Sequence, residues 1–270
     1  MSKCLILVDN NASIPFVSEH GLALLIEHNG NSFLFDTGAG EALVKNSKFL
    51  GFDIACIDKV VLSHGHNDHT GGVASLGDCK IYARSGIDIS RLSIHKDTPV
   101  RNISMPANSV EKLHKSDWIH SDTFNEIFDG VFSSGKILRE SDEDTGGPFF
   151  IDDVGTTPDL IEDEQALLLS SGMLVQGCCH AGIINTMEHF KRCCPDIEIT
   201  SIIGGLHLLN ASEKRLLQTA NYLNKSNVKD LYLLHCTGHN AIAFLKQQCK
   251  EIRIHISSVG EFISCYDNKK

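Results

Sequence analysis

No stretch of the sequence approaches the roughly 18–20 unbroken apolar residues of a membrane-spanning helix, so no membrane partner is expected. Positive charge is scarce: Lys and Arg total 24 against 34 Asp and Glu, a formal net charge of −10 over 270 residues. A nucleic-acid-binding surface needs a basic stripe, so no nucleic-acid partner is expected either, although a local basic pocket stays compatible. With 6 prolines and 22 glycines, collagen-like and proline-rich architectures are excluded. The 10 cysteines include no Cys-x-x-Cys, and the adjacent pairs Cys178-Cys179 and Cys193-Cys194 do not suit a zinc knuckle. The start of the sequence lacks the apolar stretch and small-residue cleavage site of a secretory signal. The expected location is the cytoplasm, where free thiols are the default and most cysteines read as small buried hydrophobes. There is no Gly-x-x-x-x-Gly-Lys-Ser/Thr phosphate loop and no Gly-x-Ser-x-Gly nucleophile turn, and Gly38-x-Gly40 is too short for a dinucleotide fingerprint.

What is present is an ordinary globular composition, 42% hydrophobic and 21% charged, with strand and helix signals alternating throughout. Residues 5–8 and 22–27 read as strands, and His28-Asn-Gly-Asn31 as a hairpin turn whose Asn-Gly pair supplies positive φ. The returning strand, 32–36, runs into Thr37-Gly38. A helix at 41–50 precedes a short buried strand at 59–62. A second hairpin, 165–170 with 173–177, also ends in a glycine-bearing polar loop, so the two halves form a weak pseudo-repeat. Strands at 201–203, 230–234, 252–256 and 262–265 alternate with helices ending near 192 and at 212–225 and 240–249; Ser212 is the expected N-cap of the middle one. The stretch at about 93–163 is irregular and acidic, and reads as an insertion or lid within one domain spanning 1–270.

The strongest chemical signal is Ser63-His64-Gly-His66-Asn-Asp68-His69. Imidazole and carboxylate are preferred ligands of zinc and other first-row divalent metals. At a strand end, His64 and His66 point the same way because side chains alternate; Asp68 and His69 can then turn toward a second position. Lone strand-end histidines follow at His180, His207 and His235.

With these motifs the sequence resembles the metallo-β-lactamase superfamily, whose signature is His-x-His-x-Asp-His after a buried strand. Phe35-Asp36-Thr37-Gly38 matches its first motif. Gly177-Cys-Cys-His180-Ala-Gly, Gly204-Gly-Leu-His207-Leu and Leu234-His235-Cys-Thr-Gly238 match one branch. That branch is similar to the 7,8-dihydropterin-6-methyl-4-(ribofuranosyl)aminobenzene-5′-phosphate synthases and also holds proteins called metal-dependent hydrolases. The resemblance implies an α/β chain folded as a four-layer αβ/βα sandwich with two divalent metal ions, zinc the expected species and iron or manganese the alternatives. It implies that His64, His66 and His180 hold one ion and Asp68, His69 and His235 the other, with Asp36 behind them orienting the histidine loop. Asp68 and His207 are the expected catalytic residues, His207 as substrate contact or proton donor. Many members bridge their metals with an aspartate in the second half; here that hairpin ends in Cys178-Cys179-His180, leaving the bridging ligand open. Cys178 and Cys179 are thiolate candidates, though they read first as buried hydrophobes.

The expected function is a metal-dependent transferase or hydrolase acting on a phosphate-bearing, pterin-type small molecule, the alternatives being hydrolysis of a phosphoester or lactone, or an iron-loaded redox or sensing role. A homo-oligomer is compatible with this. Two weaker candidates read as solvated surface: the turn Asp163-Glu164-Gln165, and Ser133-Ser-Gly135-Lys136 with Arg139 as a phosphate contact.

Overall fold

The computed structural model describes residues 2–265. Two seven-stranded mixed sheets pack face to face. The first runs, in spatial order, Phe262–Cys265, Ser2–Val8, Ala23–His28, Asn31–Phe35, Lys59–Val61, Lys80–Ala83 and Asp117–His120. The second runs Arg253–Ile256, Asp230–Leu233, Ser201–Gly204, Met173–Val175, Leu167–Leu169, Val131–Ser133 and Asn125–Phe128. In each, an antiparallel hairpin hands its outgoing strand to parallel crossover strands: Asn31–Phe35 pairs in parallel with Lys59–Val61, and Met173–Val175 with Ser201–Gly204. The pseudo-repeat is thus a repeat of topology. Among the described residues no helix is long and apolar enough to cross a membrane.

Alternation within the strands produces the layers. In Ser2–Val8, Cys4 and Ile6 enter the core between the sheets beside Phe33, Phe35, Leu167 and Val175. Leu5 and Leu7 face the other way, under the helix Glu41–Phe49 with Ala42 and Leu43. In the second half Leu168, Leu174 and Ile202 face outward against Met187, Phe190, Ala220, Leu223 and Leu245 of three helices. Strands buried on both faces read as near-continuous apolar runs, which is how they stand in the sequence. The result is the expected αβ/βα sandwich.

Local chemistry sets the boundaries. Asn29 and Gly30 take φ of 46° and 77° at the first hairpin, as the tight turn demands. Ser212 caps Glu213–Asn224 by accepting from Arg215 N at 3.3 Å. The helix Glu41–Phe49 has no such local cap. Instead the distant Glu19 carboxylate accepts from the backbone N–H groups of Ala39, Gly40, Glu41 and Ala42 at 2.8–3.0 Å.

The stretch 93–163 divides between two roles. Its centre supplies the helix Ala107–Lys115, the edge strands Asp117–His120 and Asn125–Phe128 of the two main sheets, and Val131–Ser133 next to the second of these edges. Its flanks contribute to a separate three-stranded sheet of Leu92–Ser93, Arg101–Asn102 and Phe149–Phe150. The turn Asp163-Glu164-Gln165 is buried rather than solvated. Gln165 ties the sheets together: its Oε1 accepts from Ser121 Oγ and Ser133 Oγ at 2.8 and 2.7 Å, and its Nε2 donates to Leu62 O at 2.8 Å. Replacing Gln165 with Leu strands two buried hydroxyls and a carbonyl, each costing about 1–3 kcal/mol. Urea denaturation is expected to show a loss of about 3 kcal/mol; a loss below about 1 kcal/mol would mean that water substitutes for the amide.

Candidate metal centre

Every histidine singled out in the sequence follows a strand. His64 and His66 come after Lys59–Val61, with Asp68 and His69 in the helical turn Asn67–Thr70; His180, His207 and His235 follow Met173–Val175, Ser201–Gly204 and Asp230–Leu233. These strands are parallel within their sheets, so their carboxyl ends open on one edge, where crevices form in α/β folds. The histidines and Asp68 converge there. His64 Nε2 stands 3.0 Å from His66 Nδ1, and the His180 ring lies 4.8 Å from that of His64 and 5.1 Å from that of His66. His69 Nε2 and His235 Nε2 are 3.3 Å apart, with Asp68 Oδ2 3.3 Å from His235 Nε2.

One carboxylate orients two of these rings. Asp36, fully buried, accepts from Ser63 N and Ser63 Oγ at 2.7 Å, and its Oδ2 lies 2.7 Å from His69 Nδ1. A carboxylate only accepts, so His69 keeps a proton on Nδ1, and Nε2 is the nitrogen left bare when the ring is neutral. The Ser63 hydroxyl has given its proton to Asp36 and therefore accepts from His64 Nδ1 at 2.9 Å. His64 Nε2 is bare for the same reason. His235 is fixed from elsewhere: its Nδ1 donates to Asn10 Oδ1 at 2.8 Å and its backbone N–H to Asp9 Oδ1 at 2.7 Å.

Burial pushes His66 down to about 3 and holds His64 and His180 well below the usual imidazole range. These rings are neutral, with lone pairs available. Burial opposes a charge on His69 too, but the Asp36 and Asp68 carboxylates outweigh it and raise that ring to about 9. Both nitrogens of His180 and Nε2 of His66 are buried without a hydrogen-bond partner. Unpaired buried polar groups are costly, and a divalent cation among them, displacing the second proton of His69, turns the same geometry favourable. The donor set, imidazole with carboxylate and thiol, suits zinc and its first-row neighbours.

The loops around these side chains are held by the acidic turn that reads as solvated in the sequence and by two arginines that carry no signal there. Glu164 accepts from His180 N at 2.5 Å and Ala181 N at 2.6 Å. Asp163 accepts from Gly65 N at 2.8 Å and pairs with Arg91 at 2.7 Å, while Arg91, 1% exposed, also pairs with Asp159 at 2.9 Å. Arg215 donates to His207 O at 3.0 Å. Asp36, Cys179, His207 and His235 all adopt left-handed backbone, φ 48–62°, a conformation non-glycine residues rarely take and one that clusters at functional sites.

A cavity of about 640 Å³ opens onto the centre, lined by His66, Asp68, His180, His207 and His235, with Arg101 and His95 also on its wall. The Phe149 ring lies 5.2 Å from His66, 5.5 Å from His180 and 5.8 Å from His207, an apolar wall supplied by the small sheet. Sequence reasoning missed Phe149, Asn10 and His20, whose Nε2 lies 3.2 Å from Asp68 Oδ2. Asp9 alone carried a signal, an acid closing a buried strand just as Asp36 does. Lys136 and Arg139 are not brought here; they line a separate cavity of about 220 Å³ behind Glu164 and Ala181.

The metallo-β-lactamase superfamily model matches residues 19–148. A 7,8-dihydropterin-6-methyl-4-(β-D-ribofuranosyl)-aminobenzene-5′-phosphate synthase from Methanocaldococcus jannaschii is 30% identical to this chain over 275 aligned residues, 92% of each protein. The chain belongs to the metallo-β-lactamase superfamily. An uncharacterized protein of the same organism is also 30% identical, across 94% of this chain and 98% of its own. Among solved structures, Tm1679, described as a metal-dependent hydrolase of the β-lactamase superfamily, superposes with a TM-score of 0.86 at 27% identity, over 98% of this chain and 99% of that one. A diphosphatase of the PhnP family shares the fold, with a TM-score of 0.52 at 12% identity over 98% of both chains.

The buried Arg91 generates a prediction. Replacing it with Leu leaves Asp159 and Asp163 buried without their cation, a change that typically costs about 3–5 kcal/mol. Denaturant titration is expected to show a loss of that size. A near-neutral result would mean that the two carboxylates find protons or water instead.

Proposed function

We propose that this chain is a dinuclear metal-dependent enzyme acting on a phosphate-bearing, pterin-type small molecule, in a transfer like that of the named synthase. His64, His66 and His180 would hold one ion and Asp68, His69 and His235 the other. The observation that carries this reading is the convergence of those six side chains on one edge of the sandwich, with buried imidazole nitrogens left unpartnered. A pair of bound divalent ions supplies Lewis acidity toward a phosphoryl or carbonyl oxygen and offsets charge on a departing phosphate.

The chain's own residues would do the rest. Phe149 presents a ring face to an aromatic substrate at the cavity wall. Arg101 brings the positive charge that a phosphate needs in a protein of net charge −10, and His95 a ring nitrogen beside it on the cavity wall. Asp68, between His20 and His235, is placed to take up or pass on a proton, and His207 stands on the cavity wall as substrate contact or proton donor. The second reading, a hydrolase of a phosphoester or lactone, is favoured by the structural likeness to Tm1679 and uses the same residues with water as the acceptor.

Chelator-treated protein is expected to be inactive and to regain activity on adding back zinc, iron or manganese, with about two ions per chain by mass spectrometry. Product formed from a dihydropterin diphosphate and a ribofuranosylaminobenzene phosphate supports transfer. Release of phosphate or acid without the second substrate supports hydrolysis, and activity that survives metal removal would refute both.

Asp36→Asn tests the tautomer argument. If the amide oxygen keeps the bond from Ser63 N, the amide nitrogen must donate to His69 Nδ1 and drive the ring proton onto Nε2. Metal affinity is expected to fall about 10–100-fold in competition with a chelator, with circular dichroism unchanged. An unaltered affinity would show that Asp36 does not set the donor nitrogens.

A further inference from the structure

Between the two groups of imidazoles stands a thiol. Cys178, 3% exposed, has its Sγ 3.2 Å from His69 Nε2. Donor atoms lying within 4.8 Å of one another group Cys178 with His64 and His69, with His180 and His207, and with His235 and Cys236. Among the described residues no other side chain belongs to three such groups. His180, one of these neighbours, has both ring nitrogens buried and unpartnered, an independent mark of a ligand-binding position.

The backbone explains how the thiol arrives there. A Cβ on Gly177 would fall 2.2 Å from Ser63 Oγ and 3.1 Å from Asp36 Oδ2. With glycine, the strand end closes directly onto the pair that orients His64 and His69, and the next side chain enters between them. Cys179 is placed differently: its Sγ lies 3.7 Å from Thr186 Oγ1, within the apolar cluster beneath the helices. Cys236 Sγ lies 3.6 Å from Cys178 O and shares one of the three donor groups with Cys178.

We propose that the Cys178 thiolate is the donor shared between the two ion positions, in the half of the chain that offers no aspartate there. The inference rests on the reading that the histidine cluster holds divalent ions. A coordinating thiol is deprotonated, the ion displacing its proton to solvent, so Cys178 would supply the negative charge that a bridging carboxylate would otherwise bring. Sulfur is a soft ligand and favours zinc or ferrous iron over manganese and magnesium. The site should therefore discriminate against hard cations, and it is open to oxidation at sulfur where an all-imidazole and carboxylate site is not.

Anaerobic loading with cobalt(II) tests the two ideas separately. Visible d–d absorption reports occupancy of the histidine cluster; a near-ultraviolet sulfur-to-cobalt charge-transfer band reports the thiolate. Wild type, Cys179→Ser and Cys236→Ser are expected to show both. Cys178→Ser is expected to keep the visible absorption, lose the near-ultraviolet band and bind cobalt at least about tenfold more weakly. Cys178→Asp, which restores an anionic donor, is expected to recover affinity without the band, and it serves if the serine variant misfolds. Visible absorption without a near-ultraviolet band in wild type would overturn the proposal and leave the metal reading standing. So would a band that survives in Cys178→Ser, or one that vanishes only in Cys236→Ser. A wild type with neither signal would remove both.

Discussion

The geometry of the centre depends on one buried carboxylate. Asp36 is the end point of two hydrogen-bond chains, one directly from His69 and one through the Ser63 hydroxyl from His64. Because a carboxylate can only accept, both rings are forced into the tautomer that aims Nε2 inward. The same residue takes the backbone N–H of Ser63 and so fixes the start of the histidine loop. Gly177 must be glycine for the second half to close on this pair. The two first-half rings are thereby oriented from a single point, against which the second half closes.

A wider rule governs the surrounding loops. Loop and helix-end N–H groups near the cavity are satisfied by carboxylates from elsewhere in the chain: Glu19 at the helix Glu41–Phe49, Glu164 at His180 and Ala181, Glu143 at Ile184 and Asn185, and Asp163 at Gly65. Buried backbone groups need partners, and loops that end strands in odd conformations cannot supply their own. Asp163 and Glu164 thereby also hold the loops of His64–His66 and His180 in one shape. The preorganisation that a metal centre needs and the backbone satisfaction that folding needs are met by the same contacts. The small sheet adds Phe149 above the histidines, so the part of the chain least regular in sequence supplies a wall of the cavity.

The sequence by itself determined the two hairpins, the buried strands and the helices flanking them. Their signals are local: Asn29-Gly30 for a tight turn, Ser212 for a cap, unbroken apolar runs for strands covered on both faces. It also marked the side chains that meet at the candidate centre, because His64, His66, Asp68 and His69 lie within one short loop and because His180, His207 and His235 each close a strand. Tertiary structure alone decided everything that joins residues distant in the chain. Asn10 and Asp9 fix His235 from 225 and 226 positions away; Arg91 reaches Asp163 across 72; Cys178 lies 109 residues from His69. No composition or spacing rule marks these, since each residue type is common in turns and cores. The acidic turn at Asp163-Glu164-Gln165 looked solvated for that reason. Burying it is favourable only because Arg91, Gly65, the His180 loop and the serines Ser121 and Ser133 meet it there, and that meeting exists only once both sheets have packed.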